Sequence, residues 1–189
     1  MLCQQGLLTK EECEEYSWGE NPEAVDYEAL WNARFLVLRK AFERGRENPE
    51  IAAFREENKQ WIEDYALYMA VKAQMENRAW IEWDEDIRLR RPEAMEHYRK
   101  ELADDIDFYV FIQYHFYDQW AKLRKYANDN GVGFIGDIPI YVALDSADTW
   151  ADTQEFLLDE DCRPIDVAGC PPDAFSADGQ LWGNPLYRW

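Results

Sequence analysis

Val132-Gly133-Phe134-Ile135-Gly136-Asp137-Ile138-Pro139-Ile140-Tyr141-Val142 is a continuous apolar run carrying glycines and one aspartate. It follows a long helical pattern, and an apolar run in that position predicts a buried strand of a parallel sheet or barrel. Asp137 falls inside or at the end of that strand. A carboxylate there is costly unless paired or hydrogen-bonded, and the carboxyl ends of barrel strands are where site residues collect. A buried parallel strand needs neighbours on both edges, and nothing else in the chain has similar character. The sequence therefore predicts either a piece of a larger α/β protein or a compact helical domain with a small β appendage.

Upstream, residues 1–131 read as helix after helix. Thr9 and Glu12 have capping-box spacing. Asp26 can cap the next helix, whose apolar positions Trp31, Phe35, Leu38 and Phe42 predict one buried face. Gly45 is a stop signal. Asn48-Pro49-Glu50 is a new start, with Asn as cap and Pro in the first turn. From Trp61 to about Glu76 the pattern continues through Ile62, Ala66, Met69 and Ala73. Residues 80–91 are less periodic and read as a loop or short turns. Pro92 then opens what reads as the longest helix, running to about Asn128 with a broad apolar face. Asn128-Asp129-Asn130-Gly131 ends it.

Downstream, residues 132–144 hold the predicted barrel strand, and residues 145–189 read as a small β-hairpin with a loop subdomain. Ser146 through Trp150 suggests a short capped helix. Glu155–Leu158 and Ile165–Ala168 flank a polar turn and predict the hairpin. The remainder, rich in Pro, Gly, Asp and aromatics, reads as a loop of the kind that carries binding residues.

The chain has 189 residues and a net charge of -19, from 39 acidic and 20 basic residues. A field of that sign repels phosphate backbones and anionic lipid, so neither nucleic acid nor a membrane surface is expected as a partner. A neutral sugar is indifferent to it. Aromatic residues make up 15% of the chain; most should be core, although sugar rings also stack on aromatic faces. The four cysteines, Cys3, Cys13, Cys162 and Cys170, include no Cys-x-x-Cys pair. That argues against a zinc site and for free thiols in a reducing cytoplasm. No apolar run is long enough to cross a bilayer.

Two carboxyl groups about 5–5.5 Å apart can act as a nucleophile and an acid/base. With so many acids, neighbouring pairs such as Asp145/Asp148, Asp159/Asp161 and Asp173/Asp178 arise freely, and each reads first as a turn or helix cap. Trp182-Gly183-Asn184-Pro185 is sharper. Gly lets backbone approach a ligand, Asn-Pro fixes an extended turn, and Trp182 can offer a flat face to a sugar or anchor a loop. Phe175 invites the same two readings. His115, mid-helix on an aromatic face, reads as a core histidine. Arg88, Arg90 and Arg91 read as partners for acidic side chains.

Two motifs together resemble the 4-alpha-glucanotransferases (amylomaltases or disproportionating enzymes, glycoside hydrolase family 77). These are Gly136-Asp137-Ile138-Pro139-Ile140-Tyr141-Val142-Ala143 and Gly179-Gln180-Leu181-Trp182-Gly183-Asn184-Pro185-Leu186-Tyr187. Trp61-Ile62-Glu63-Asp64-Tyr65-Ala66 and Gln113-Tyr114-His115-Phe116-Tyr117-Asp118 are also similar to that family's N-terminal half. The resemblance implies a mainly α-helical α+β fragment of a (β/α)8 TIM-barrel enzyme: a helical insertion, one barrel strand and a small hairpin and loop subdomain. It implies an α-1,4-glucan or maltooligosaccharide as substrate and no metal or organic cofactor. Asp137, Tyr141, Asp173, Phe175, Trp182 and Asn184 are the substrate-binding residues it implies. It implies no catalytic residue here, because the family's nucleophilic Asp, acid/base Glu and third Asp fall beyond the match to Trp189. Two departures stand out. Ala174 occupies a position where many members carry Tyr, and Cys162 replaces a usual turn Gly. A non-catalytic glucan-binding or helical interaction module is the alternative, with self-association through an exposed barrel-facing surface as a further expectation.

Overall fold

The computed structural model describes residues 1–189, which fall into two compact units, Met1–Lys59 with Asp107–Leu123, and Gln60–Ile106 with Arg124–Trp189. No helix is long and apolar enough to cross a membrane.

The first unit begins with α1 (Lys10–Glu14). Thr9 and Glu12 close the expected capping box. Asp26 caps α2 (Tyr27–Gly45) by accepting the Ala29 N–H, and Asn48 caps α3 (Pro49–Glu57), which has proline in its first turn. The fourth element is the middle of α7 (Ala103–Asp129). The buried α2 residues are Ala33, Val37, Ala41, Phe42 and Gly45, whereas Trp31 is exposed. The apolar face is thus rotated from the aromatic stripe the sequence suggests. The bulk comes from α7 instead, whose Phe108 and Phe111 each set a ring edge-on to Phe42 at 5.5 Å. The small α2 residues Ala33, Val37, Ala41 and Gly45 leave room for these rings. Gly45 is needed for close approach, because a Cβ there would meet Phe111 at 3.0 Å and Leu7 at 3.1 Å. His115 is buried against Phe111, with ring centroids 4.3 Å apart, and burial pushes its pKa down. It is a core histidine.

In the second unit, α4 (Lys59–Gln74) buries Ile62, Ala66, Leu67, Ala70 and Val71. A 3-10 turn at Trp80–Glu82 and the short α5 (Glu85–Arg88) replace any loop over residues 80–91. Helix α6 (Pro92–Glu101) then stops, because Leu102 leaves helical geometry (φ −103°, ψ 21°) before α7 starts. The single helix expected from Pro92 to Asn128 is therefore two. Leu102 is neither Gly nor Pro, so no local breaker announces the break. Its burial, at 7% exposure, accompanies it. The core of the unit is a three-ring cluster of Tyr68, Trp83 and Trp150, with centroids 5.4–5.9 Å apart. Each indole N–H finds a carbonyl: Trp150 donates to Ile87 at 3.1 Å, Trp80 to Leu144 at 2.6 Å and Trp83 to Arg78 at 3.2 Å. Burial of these rings therefore leaves no donor unsatisfied. Arg90 pairs with Asp64, and Arg91 with Glu85 and Asp86, as the acidic surroundings suggest.

The run 132–142 forms no strand. Ile135, Ile138 and Ile140 are 103%, 79% and 75% exposed. The expected barrel strand at 132–144 is corrected here. A strand exists only through ladder partners, and none of the 189 residues pairs with it. The sheet lies elsewhere. β1 (Val167–Cys170) pairs antiparallel with β2 (Gln180–Pro185), so the tail read as loop contains a strand. Within the hairpin expected over residues 155–168, Leu158 and Pro164 form a single bridge, and Asp159 holds the turn by accepting from Asp161 and Arg163 N–H groups. The register slips between Val167 and Gly169, which oppose Pro185 and Leu181. Gly183 lies in that slip with φ +79°, a conformation that favours glycine. Helix α8 (Ala147–Ala151) carries the expected Ser146 cap. Cys162, buried, holds φ +63°, so the turn keeps a left-handed residue even without glycine there.

Candidate functional site

All six residues singled out from the sequence lie in the second unit, and the structure sorts them into three groups. Tyr141, Trp182 and Asn184 come together. The Tyr141 and Trp182 rings are 6.1 Å apart and tilted. The Asn184 side chain donates to the Val142 carbonyl at 2.8 Å, which fastens β2 to the end of the apolar run. Tyr187, which sequence reasoning missed as a site residue, stacks nearly parallel on Tyr141 with an interplanar angle of 12°. It also touches Phe156 and Trp189. The one cue to Tyr187 was its place in the Asn-Pro-Leu-Tyr end of the tail.

Beside this cluster lies an open hollow of about 450 Å³, lined by Ile138, Ile140, Tyr141, Leu157, Tyr187 and Trp189 among others. Its volume is within the usual range for small-molecule sites. Trp182 is half exposed, and its indole N–H is turned to Gln180 Oε1 at 3.0 Å, so its orientation is fixed while its ring still meets solvent.

Asp173 and Phe175 form the second group, at the tip between β1 and β2. One Asp173 carboxylate oxygen accepts the N–H groups of Phe175 and Ser176, both at 2.8 Å, and the Asp173 N–H returns to Ser176 O at 3.0 Å. This closed turn holds Phe175 out at 98% exposure. The local chemistry is that of an Asx turn, and its product is an aromatic side chain presented to solvent. Asp137 stands apart from both groups. It is exposed and accepts only the N–H of its own neighbour, Ile138, at 2.8 Å.

A second carboxylate, Asp145, has the opposite setting. It accepts from Tyr68 Oη at 2.7 Å, Lys72 Nζ at 2.5 Å and Trp80 N at 3.3 Å. Burial raises its pKa, but the hydrogen bonds from Lys72 and Tyr68 outweigh burial and leave it below the ordinary value. Burial and the adjacent carboxylate push the Tyr68 hydroxyl up. Asp145 is thus a clamp joining α4, the 3-10 turn and the chain leading into α8. The Thr149 hydroxyl closes that corner by donating to Ala143 O at 2.7 Å. In the sequence Asp145 looks like any other turn aspartate, since its partners lie 65 to 77 residues away. No group of three or more His, Cys, Asp or Glu side chains converges to hold a metal ion.

The arrangement offers exposed aromatic faces, an apolar hollow and the exposed Asp137 carboxylate.

The model of the 4-alpha-glucanotransferase family matches residues 1–189. The 4-alpha-glucanotransferase of Clostridium butyricum is 44% identical over 192 residues, covering all of this chain and 39% of that protein. That of Streptococcus pneumoniae is 44% identical over 193 residues, covering 38% of its length. Among solved structures, the amylomaltase of Streptococcus agalactiae in complex with acarbose superposes with a TM-score of 0.93 at 42% identity, over the whole of this chain and 39% of the other. The chain thus spans about two-fifths of the length of these relatives. With the whole sequence matched by one family model, and the backbone matched at this identity, the chain belongs to the 4-alpha-glucanotransferase family.

Proposed function

We propose that this chain is part of a 4-alpha-glucanotransferase of the (β/α)8 barrel type, and that it supplies one wall of the glucan groove without the chemistry. The whole protein would cleave an α-1,4 bond, hold the glucosyl segment covalently on a carboxylate, and pass it to the 4-hydroxyl of another glucan with net retention. The observation that carries this reading is the cluster of Tyr141, Trp182 and Tyr187 beside the open hollow, in a chain whose solved relative holds acarbose.

In this reading Trp182 and Tyr141 take the sugar rings of a maltooligosaccharide, and Asn184 ties β2 to the segment that carries Tyr141. Phe175 leans over the bound chain from its Asx turn, and Asp137 meets sugar hydroxyls with the carboxylate oxygen its neighbour leaves free. Excluding water favours a sugar hydroxyl as acceptor over hydrolysis, and exposed aromatics around the groove are suited to that. A reducing cytoplasm fits the four free thiols. The domain reading follows the same logic: residues 1–131 serve as helical scaffold, residues 132–144 as a barrel segment and residues 145–189 as the substrate-loop subdomain.

Incubation of the full-length protein with maltotriose is expected to yield glucose together with longer maltooligosaccharides, while the purified 189-residue chain yields neither. Disproportionation by the short chain would overturn the division of labour. Titration of the short chain with maltooligosaccharide addresses the alternative of a self-sufficient glucan-binding module. Saturable binding lost in Trp182→Ala would favour it, and no binding would leave the chain as one wall of a larger site.

A further inference from the structure

The Sγ atoms of Cys3 and Cys13 lie 3.8 Å apart. The two thiols touch across ten positions of sequence, in the first unit. Both ends of this contact are held. Cys3 sits in a set of turns over residues 1–7, closed by Gln5 N–H to Met1 O at 3.1 Å and Leu7 N–H to Leu2 O at 3.0 Å. Cys13 lies in α1, and its carbonyl takes the Trp18 indole N–H at 2.7 Å. Helix α1 is itself pinned to α2 by the two-pronged pair of Arg44 with Glu12, at 2.8 and 2.6 Å, and by Lys40 with Glu15 at 2.6 Å. The juxtaposition is a product of two anchored segments.

We propose that Cys3 and Cys13 form a reversible redox pair that closes an intramolecular disulfide on meeting a low-molecular-weight disulfide of the glutathione type. A bonded S–S distance of about 2.0 Å requires the sulfurs to approach by about 1.8 Å, a movement within reach of side-chain rotation and of turns at the surface. The two thiols are not equivalent. Cys3 is exposed and Cys13 only half so. Burial pushes the Cys13 thiol up, with the Cys3 hydrogen bond and the nearby Glu12 and Glu14 charges adding to it. The more accessible thiol, Cys3, therefore attacks first. Its thiolate displaces one sulfur of the oxidant, giving a mixed disulfide on Cys3 and releasing one small thiol. Cys13, deprotonated, then attacks Cys3 Sγ and expels the second small thiolate, which takes up a proton. Two protein thiols are oxidised and one small disulfide is reduced to two thiols. The product ties the N-terminal turns covalently to α1. The remaining cysteines are differently placed, with Cys162 buried and Cys170 directed to the Pro171 carbonyl.

The test uses the full-length protein incubated with glutathione disulfide, followed by intact mass and non-reduced peptide mapping. Trypsin cuts after Lys10, so the bond is read as a cross-link between the peptides carrying Cys3 and Cys13. The expected result is the loss of two hydrogens in mass, that one cross-link, and full reversal by dithiothreitol. In Cys13→Ser the reaction is expected to stall, leaving one stable glutathione on Cys3. In Cys3→Ser the Cys13 thiol is expected to stay largely unmodified. Either of two findings overturns the proposal: a wild-type protein that keeps glutathione on Cys3 without forming the cross-link, or cross-links joining Cys3 or Cys13 to other cysteines instead.

Discussion

Asp137 and Asp145 belong to the same stretch of chain, yet their surroundings are opposite. Around Asp145 the chain is fastened from all sides: Lys72, Tyr68 and Trp80 converge on its carboxylate, and nearby Trp150 is fully buried with its N–H satisfied. Around Asp137 the isoleucines face outward, and the carboxylate bonds only to the next residue. A carboxylate whose lone pairs are taken by the scaffold holds the fold. A carboxylate left open, in an apolar run that faces solvent, fastens nothing in the fold. The same contrast separates Trp150 from Trp182, one an anchor and the other half exposed beside a hollow.

The largest expected effect lies on the fastened side. Trp150→Ala should destabilise by about 3–5 kcal/mol, while Ile138→Ala in the open run should stay within about 0.5 kcal/mol; urea unfolding of both variants reads the difference. Equal losses would erase the contrast. Next, Asp145→Asn breaks the Lys72 pair and weakens the Tyr68 bond. Allowing for partial solvent screening, it should lower stability by about 1–2 kcal/mol, with Asp137→Asn near neutral by the same measurement.

The acid limb of stability sharpens the comparison further. Asp145 has a folded pKa below its ordinary 3.8, so its contribution is complete above that value and is lost as pH falls through the lower folded one. Glu12, lowered from 4.5 to about 2 chiefly by its Arg44 hydrogen bond, behaves alike, its share disappearing between those values. Asp145→Asn should therefore flatten the fall of the unfolding midpoint below about pH 4, and an unchanged slope would count against the clamp.

Much of the helical scaffold was legible because its signals are local. The Thr9, Asp26, Asn48 and Ser146 caps are all present in the structure. What failed were features set by distant partners. The rotated face of α2 depends on Phe108 and Phe111 arriving from α7. The break at Leu102 has no breaker residue to mark it. The strand at 132–142 was read from apolar composition, which signals what a segment would do beside partners and cannot supply them. β2 was hidden because Gly183, Asn184 and Pro185 look like loop, and a register slip absorbs them. Within the site, the Trp-Gly-Asn-Pro motif drew attention to Trp182 and Asn184, whereas the stack of Tyr187 on Tyr141 and the Asp145 clamp are tertiary facts without a local signature.

The most direct test of the open side is the KM of the full-length Trp182→Ala variant for maltotriose, measured beside its unfolding midpoint. KM is expected to rise about tenfold, equivalent to about 1.4 kcal/mol of lost binding, with the midpoint unchanged. A wild-type KM in a properly folded variant would contradict it.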